Sequence, residues 1–391
     1  MSFAADPLTR AKEILGRLVA FPTVSDRSNL ELMAFVADYL RGLGAEPVLA
    51  PSPQGDKTAL HVAFGPKADG GVLLSAHTDV VPVEGQPWSA DPFALREAEG
   101  RLYARGACDM KGFVACALAM APQFLAAGRP IQILLSYDEE TTCLGSLDFI
   151  RRFGVDIPRP DVAIVGEPTE MQVADAHKGV TTFRTVVRGV EAHSARPSLG
   201  ASAISAAAEI VREIDRLARQ EEARPGPDAR FDPPHATYHV GTIAGGTARN
   251  ILARECVIGW EFRGLPGMRA SEAMAEVDDF VAAQALPRLR RHHREPTIET
   301  IMDVDVPGLA ADADSPAATL ALRLAGANAT VAVPFATEAG HFQAAGVSTI
   351  VCGPGSIVQA HKPDEYVETE QLARCLAFLQ RLCAAAQVGP S

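Results

Sequence analysis

The sequence predicts an α/β sandwich interrupted by a compact, inserted two-layer α+β unit, on three observations. Short apolar runs alternate with helical stretches through residues 1–178. Between 179 and 304 the rhythm changes to strand, helix, strand, strand, helix, strand, which is the ferredoxin-like order. The α/β alternation resumes at Ala317, within 305–391. A chain of 391 residues is too long for one ordinary core. A discontinuous first domain (1–178 with 305–391) and an inserted second (179–304) account for its length.

Each element has its own warrant. Residues 8–21 place Ile14, Leu15, Leu18 and Val19 at helical spacing, and 30–43 repeat the pattern. The runs 61–64, 72–76, 131–137 and 162–165 are short and apolar without alternation, as strands covered on both faces are. Helical stretches at 112–127 and 144–153 lie between them, so the sheet is predicted to be largely parallel or mixed. In the second domain a strand (181–188) leads to an Ala-rich helix (201–217) and a polar, Pro-rich loop (220–234). Strands at 237–244 and 256–263, a helix at 270–283 and a strand at 297–303 complete it. The basic cluster 288–294 reads as a solvated loop face.

Composition narrows the function. Residues are 47% apolar and 21% charged, the balance of a soluble globular chain. A net charge of −12 argues against a nucleic-acid partner and mildly favours cationic small molecules. Residues 1–9 carry Asp6 and no apolar run after a basic start, so no secretory signal is read there. No stretch approaches the roughly 20 apolar residues that span a bilayer, so no membrane partner is expected. The seven cysteines (Cys108, Cys116, Cys143, Cys256, Cys352, Cys375, Cys383) stand singly, against a disulfide framework or a thiolate zinc site. A reducing, cytoplasmic compartment is expected.

The chemistry gathers where strands end. The run 72–76 leads into His77-Thr78-Asp79, where residues two apart face the same side, so Asp79 can brace an imidazole ligand. Asp109 sits in a Gly-flanked turn before a long apolar helix; 131–137 ends in Asp138-Glu139-Glu140; 162–165 ends in Gly166-Glu167; and His361 follows a late strand. Taken singly, these are also a hydrogen-bonded pair, a helix cap and surface turns. Together, at successive strand ends of one α/β domain, they form a site of imidazoles and carboxylates without thiolate. That donor set suits zinc, cobalt or manganese in an open hydrolytic site, and two ions require a shared carboxylate.

These residues lie in longer stretches: SAHTDVVPVEGQPWSADPF (75–93), LYARGACDMKGF (102–113), SYDEE (136–140), VGEPT (165–169), EAHSARPSLGASAI (191–204), GGTARNILARECVIGWEFRGLPG (245–267) and GPGSIVQAHKPDEYV (353–367). In this order, and over nearly the whole chain, they resemble the metal-dependent aminoacylase/carboxypeptidase family of two-metal hydrolases. That family includes enzymes acting on acetylornithine, on succinyl-diaminopimelate and on glutamate-ended substrates. The resemblance implies His77, Asp109 and Glu167 on one metal ion and Asp109, Glu140 and His361 on the other, with Asp109 bridging. It further implies two zinc ions (cobalt or manganese possible), Asp79 as brace and Glu139 as general base. His193 would stabilise the oxyanion across a homodimer formed by the inserted lid domain. Arg263, helped by Asn250 and Arg249, would bind a substrate carboxylate.

PFATEAGHF (334–342) and PGSIVQAHKPDEYVE (354–368) are similar to the branch acting on N-acetyl-L-ornithine. That branch implies an amidase of arginine biosynthesis, with Glu338 either pairing with the distal ammonium or supporting the metal loop. The segment Thr141-Thr142-Cys143 departs from the Val-Gly that many relatives carry after the Glu pair. Other readings are an acetylcitrulline deacetylase, a general aminoacylase, a desuccinylase, or an inactive relative that only binds.

Overall fold

The computed structural model describes residues 6–224, 226 and 228–387. The readings of 1–9 and 220–234, and the outer ends of 1–178 and 305–391, fall partly outside the described residues. The chain divides into two compact units, one of Met1–Ala176, Ala311–Val331 and Thr337–Ser391, the other of His177–Ala310 and Ala332–Ala336.

The large mixed sheet runs in the order Val48–Pro51, Thr58–Phe64, Ile131–Ser136, Val72–His77, Val162–Pro168, Ser348–Gly353, Ala174–His177, Val331–Val333. The four strands from Ile131–Ser136 to Ser348–Gly353 are parallel, so their C-terminal ends open on one edge. Thr58–Phe64 joins them antiparallel. The strand predicted at 162–165 extends to Pro168 with every residue buried, which carries Glu167 into the sheet. The strands Val48–Pro51, Arg96–Ala98, Arg101–Tyr103, Ala174–His177, Val331–Val333 and Tyr366–Glu368 are only three or four residues long, too short for a sequence signal of their own. Arg96–Ala98, for example, is largely exposed, and its partner rather than its composition orders it.

Helix Pro7–Val19 starts where Asp6 accepts hydrogen bonds from Leu8 N and Thr9 N at 3.0 and 3.2 Å, with Pro7 in the first turn. It packs on helix Lys111–Phe124, which the C-terminal helix Thr369–Gln387 covers from another side. Lys111–Phe124 is therefore buried almost throughout, and Phe113, Phe124, Leu118 and Met120 each contribute about 1.5–3 kcal/mol through burial. The contact between this helix and the sheet is close. A Cβ on Gly166 would lie 2.1 Å from the Phe113 ring, so only glycine fits beside Glu167. The helix predicted at 144–153 begins only at Leu147, because Thr142 N and Cys143 N turn back to Asp138 O.

The second unit has a four-stranded antiparallel sheet in the order Thr237–Gly245, Glu255–Arg263, Val180–Arg188, Thr297–Val306, the ferredoxin-like arrangement. Helix Ala203–Glu222, capped by Ser202, covers one face with helix Ala270–Phe280. The latter continues through a π turn at Val281–Ala285 into Leu286–Leu289, beyond the predicted end at 283. Trp260 stacks on Phe183 at 4.1 Å and donates its indole N–H to Thr185 Oγ1 at 3.0 Å, so its one polar atom is satisfied inside the core. No helix among the described residues is long and apolar enough to cross a membrane. All seven cysteines are buried and free.

His61 makes the first unit sensitive to acid. It is 2% exposed and bonded to Gln132 Oε1 at 2.8 Å, and burial pulls its pKa down to about 4. Between its unfolded value and that folded value the unfolded chain binds the extra proton, so stability falls as pH falls. From pH 6.5 to 5 this site should lose about 1.5 kcal/mol, which His61→Asn should not lose, as urea unfolding at the two pH values would show.

Candidate metal centre

His77 is the last residue of its strand. Its Nδ1–H donates to the Asp79 carbonyl at 3.0 Å, which leaves Nε2 turned toward the carboxylates. Nε2 lies 3.1 Å from Asp109 Oδ1 and 3.5 Å from Glu167 Oε1. The Asp79 carboxylate is 3.5 Å from Nδ1, at the limit of a hydrogen bond, so the backbone carbonyl is the closer brace. Two-residue alternation does not carry past His77 because the strand ends there, with Thr78 N bonded to Ser136 O. Asp79 instead receives Ser25 Oγ at 2.6 Å and the N–H groups of Glu139 and Glu140 at 3.2 and 3.3 Å. It holds the main chain that presents both glutamates.

Asp109 lies just before helix Lys111–Phe124, and the Asp109–Met110 peptide bond is cis. Its second oxygen, Oδ2, lies 3.3 Å from His361 Nε2, which in turn is 3.0 Å from Glu140 Oε2. One carboxylate therefore faces one imidazole with each oxygen. Two triads result, His77–Asp109–Glu167 and Asp109–Glu140–His361, and within each the donor atoms lie within 4.8 Å of one another. Asp138 (φ 59°), Cys143 (φ 53°) and His361 (φ 63°) adopt left-handed backbone, each at a cost of about 1–3 kcal/mol that the surrounding contacts must offset.

Electrostatics follow from packing these groups together. Burial disfavours a charged His77, yet Glu167, Asp109, Asp79 and Glu139 hold its pKa well above the histidine range. Burial likewise opposes ionisation of Asp109, but hydrogen bonds from His361 and His77 keep it far below the carboxylate range. Burial, with Asp109 alongside, lifts Glu140 to about 7 and Glu167 well above its usual value. Burial and the charges of Glu140 and Asp109 lift Glu139 strongly. Hydrogen bonds to Asp109 and Glu140 raise His361 to about 10. Glu167 Oε1 is buried without a hydrogen bond. An acidic cluster of this kind, with nitrogen and oxygen donors only, fits divalent cations.

Glu338 is also buried here, accepting from Ser136 Oγ at 2.9 Å, and burial raises it to about 7. The remaining candidates belong to the second unit. His193 is exposed, and its Nδ1 accepts from Ala195 N at 3.1 Å. Its segment pairs with Ile251, and Ser194 N donates to Asn250 O at 3.0 Å, so the loops of His193 and of exposed Arg249 and Asn250 adjoin. Arg263, at the end of its strand, bonds Glu261 through Nε at 3.0 Å and Nη2 at 3.4 Å.

Sequence reading missed several contributors. Cys143 donates its thiol to Glu139 Oε1 at 3.2 Å, and Lys57 bonds Asp138 Oδ1 at 2.5 Å while its ammonium also reaches Ser25 O. The departure at 141–143 was a signal for Cys143; Ser25 and Lys57 carry none, since their partners are distant in sequence.

Paired imidazole–carboxylate triads on one shared carboxylate are the donor set that a two-metal hydrolase requires. The chain belongs to peptidase family M20/M25/M40, whose profile matches residues 73–385. Its fold is shared with aminopeptidase PepT from Bacillus cereus (17% identity, 97% and 98% of the two chains, TM-score 0.74). A metallo-carboxypeptidase of the same family from Sulfolobus solfataricus (16%, 98% and 99%, TM-score 0.75) shares it too. So does a dinuclear metal-binding peptidase from Bacillus subtilis (16%, 97% and 98%, TM-score 0.66).

Metal counting tests the triads. After zinc loading and dialysis, elemental analysis should find two ions per chain in the native protein and one in His361→Ala. Asp109→Asn should retain neither tightly, since both triads share that carboxylate.

Proposed function

We propose that the chain hydrolyses the amide of N-acetyl-L-ornithine to L-ornithine and acetate, in arginine biosynthesis. The observation that carries the hydrolytic chemistry is Asp109, which faces His77 and His361 with opposite oxygens while half-buried Glu139 lies nearby. His77, Asp109 and Glu167 would hold one divalent ion and Asp109, Glu140 and His361 the other. The ions, zinc first and cobalt or manganese also compatible, would polarise the carbonyl and acidify water.

Glu139 is the proton carrier. Its Oε1 is engaged by Cys143, so Oε2 accepts a proton from the attacking water as the new C–O bond forms. The same proton passes to the nitrogen as the C–N bond breaks. His193 donates to the oxyanion across a homodimer: with Nδ1 accepting from Ala195, the neutral ring carries its proton on Nε2. The inserted unit, 179–304, serves as lid and dimerisation domain, and its strand Thr237–Gly245 ends the sheet with exposed residues such as Ile243. Arg263 binds the substrate carboxylate through the guanidinium edge that Glu261 leaves open, with Asn250 and Arg249 assisting. The buried free thiols suit a cytoplasmic enzyme.

The acetylornithine assignment rests on 334–342 and 354–368. Of the two roles open to Glu338, counter-charge to the ornithine ammonium and support for the metal loop, its burial and Ser136 contact favour support. A related N-acyl amino acid is the alternative substrate class.

Initial rates on acetylornithine, acetylcitrulline, succinyl-diaminopimelate and acetylmethionine decide the matter. A preference of about tenfold in kcat/KM for acetylornithine, worth roughly 1.4 kcal/mol, is the expected outcome. A flat profile discards ornithine and leaves the deacylase. Glu338→Gln should lower kcat/KM for acetylornithine and acetylmethionine alike; a selective rise in KM for acetylornithine would restore the counter-charge role.

A further inference from the structure

Arg105 is the largest fully buried side chain among the described residues, and nothing in the chemistry above uses it. Its Nη1 lies 2.7 Å from Glu365 Oε2, and both side chains are 1% exposed. Apolar pairs often serve a fold as well as a buried ion pair does, so stability alone is a weak reason for this one.

What the partners hold supplies a stronger reason. Glu365 Oε1 accepts the main-chain N–H groups of Cys108 and Asp109 at 2.9 and 3.1 Å. Arg105 Nη1 also donates to Lys362 O at 3.3 Å, while Nη2 donates to Gln86 Oε1 at 2.5 Å and Pro82 O at 3.4 Å. Gln86 Nε2 then donates to the main-chain oxygen of His361 at 3.0 Å. Asp364 Oδ1 ties the same two loops together, accepting from Ser89 N and Oγ at 3.0 and 2.7 Å. Pairing of Tyr366–Glu368 with Arg101–Tyr103 brings Glu365 O to Ala104 N at 3.1 Å, which sets the carboxylate beside the Asp109 turn.

The main chains of Asp109 and His361 thus hang on one ion pair. The two triads depend on it unequally. His77 and Glu167 belong to buried strands of the large sheet. His361 lies in a loop, in left-handed backbone, with its side chain 52% exposed.

We infer that Arg105 and Glu365 are positioning residues that hold Asp109 and His361 in register for the second divalent ion. The inference rests on the two-metal reading above. Neither residue ligates metal; both act through backbone atoms.

Calorimetric titration of the metal-free full-length protein with zinc, with bound ions counted by elemental analysis, tests it. Glu365→Gln keeps an oxygen for the two amides but removes the charge facing Arg105. It should weaken the second ion, which loses the placement of both Asp109 and His361, by about 10–100-fold, and the first, which shares only Asp109, by clearly less. Glu368→Gln, an exposed neighbour 3.8 Å from Arg101, should match the native protein. Should Glu365→Gln fail to fold, Arg105→Lys keeps the opposing charge but cannot span Gln86, Pro82 and Lys362, and the same selective loss is expected. Either variant, folded by circular dichroism, that binds both ions as the native protein does overturns the inference, as does equal weakening of both ions. Unfolding of both variants assigns the pair a structural role and overturns it as well. A native protein holding one ion defeats the two-metal reading and this inference with it, whereas two bound ions without acetylornithine turnover defeat only the substrate assignment.

Discussion

Asp109 is buried at 6% exposure among Glu139, Glu140 and Glu167, and it faces one imidazole with each oxygen. Two like charges 4 Å apart repel by roughly 4 kcal/mol at an effective dielectric of 20, so several carboxylates cannot share a buried site uncompensated. The opposed shifts record this conflict: Asp109 is held ionised by His77 and His361 while burial and its charge push Glu140 and Glu167 toward protonation. Divalent cations resolve the same conflict with donors already in place. Parallel strands serve it by ending together on one edge, which lets distant segments each deliver one donor.

Fixing such donors falls to groups that touch no ion. Asp79 gathers Ser25 Oγ and the N–H groups of Glu139 and Glu140, and Glu365 gathers those of Cys108 and Asp109. Each is a carboxylate bonded to main-chain amides, a contact that fixes a peptide plane rather than a flexible side chain. The left-handed backbone of Asp138, Cys143 and His361 persists because such contacts surround it. Lys57 belongs to the same set, since its bond to Asp138 secures the turn that carries the glutamate pair.

Most of the candidate donors were legible because they are imidazoles or carboxylates following an apolar run, a local signal of strand length, whereas Asp109 stood out by the long apolar helix after it. His77, Glu167 and the Glu139–Glu140 pair all sit at such ends. The supporting contacts were illegible for the same reason inverted. Ser25 reaches Asp79 across 54 residues and Glu365 reaches Cys108 across 257, and no periodicity encodes a contact made by loop closure. Asp79 shows the limit within three residues. Strand alternation placed its carboxylate on His77, but the strand stops, and the backbone carbonyl takes the closer place. Short strands such as Arg96–Ala98 escaped because their order comes from partners.

The same division explains how one fold carries several activities. Relatives at 16–17% identity keep this architecture over 97% or more of both chains, and they include an aminopeptidase and a metallo-carboxypeptidase. Identity that low leaves few side chains in common, so whatever the fold retains must be demanded by geometry. In this chain most of the acidic cluster is held from several sides: buried strands carry His77 and Glu167, amide–carboxylate bonds fix the turns of Asp109, Glu139 and Glu140, and a Cβ at Gly166 would already collide with Phe113. His193, Arg249 and Asn250 stand instead on exposed loops held by a few backbone contacts. Exposed loops tolerate substitution where buried charge does not. The buried cluster is therefore the tightly constrained part of this chain, and the exposed loops of His193, Arg249 and Asn250 are the part least constrained by packing.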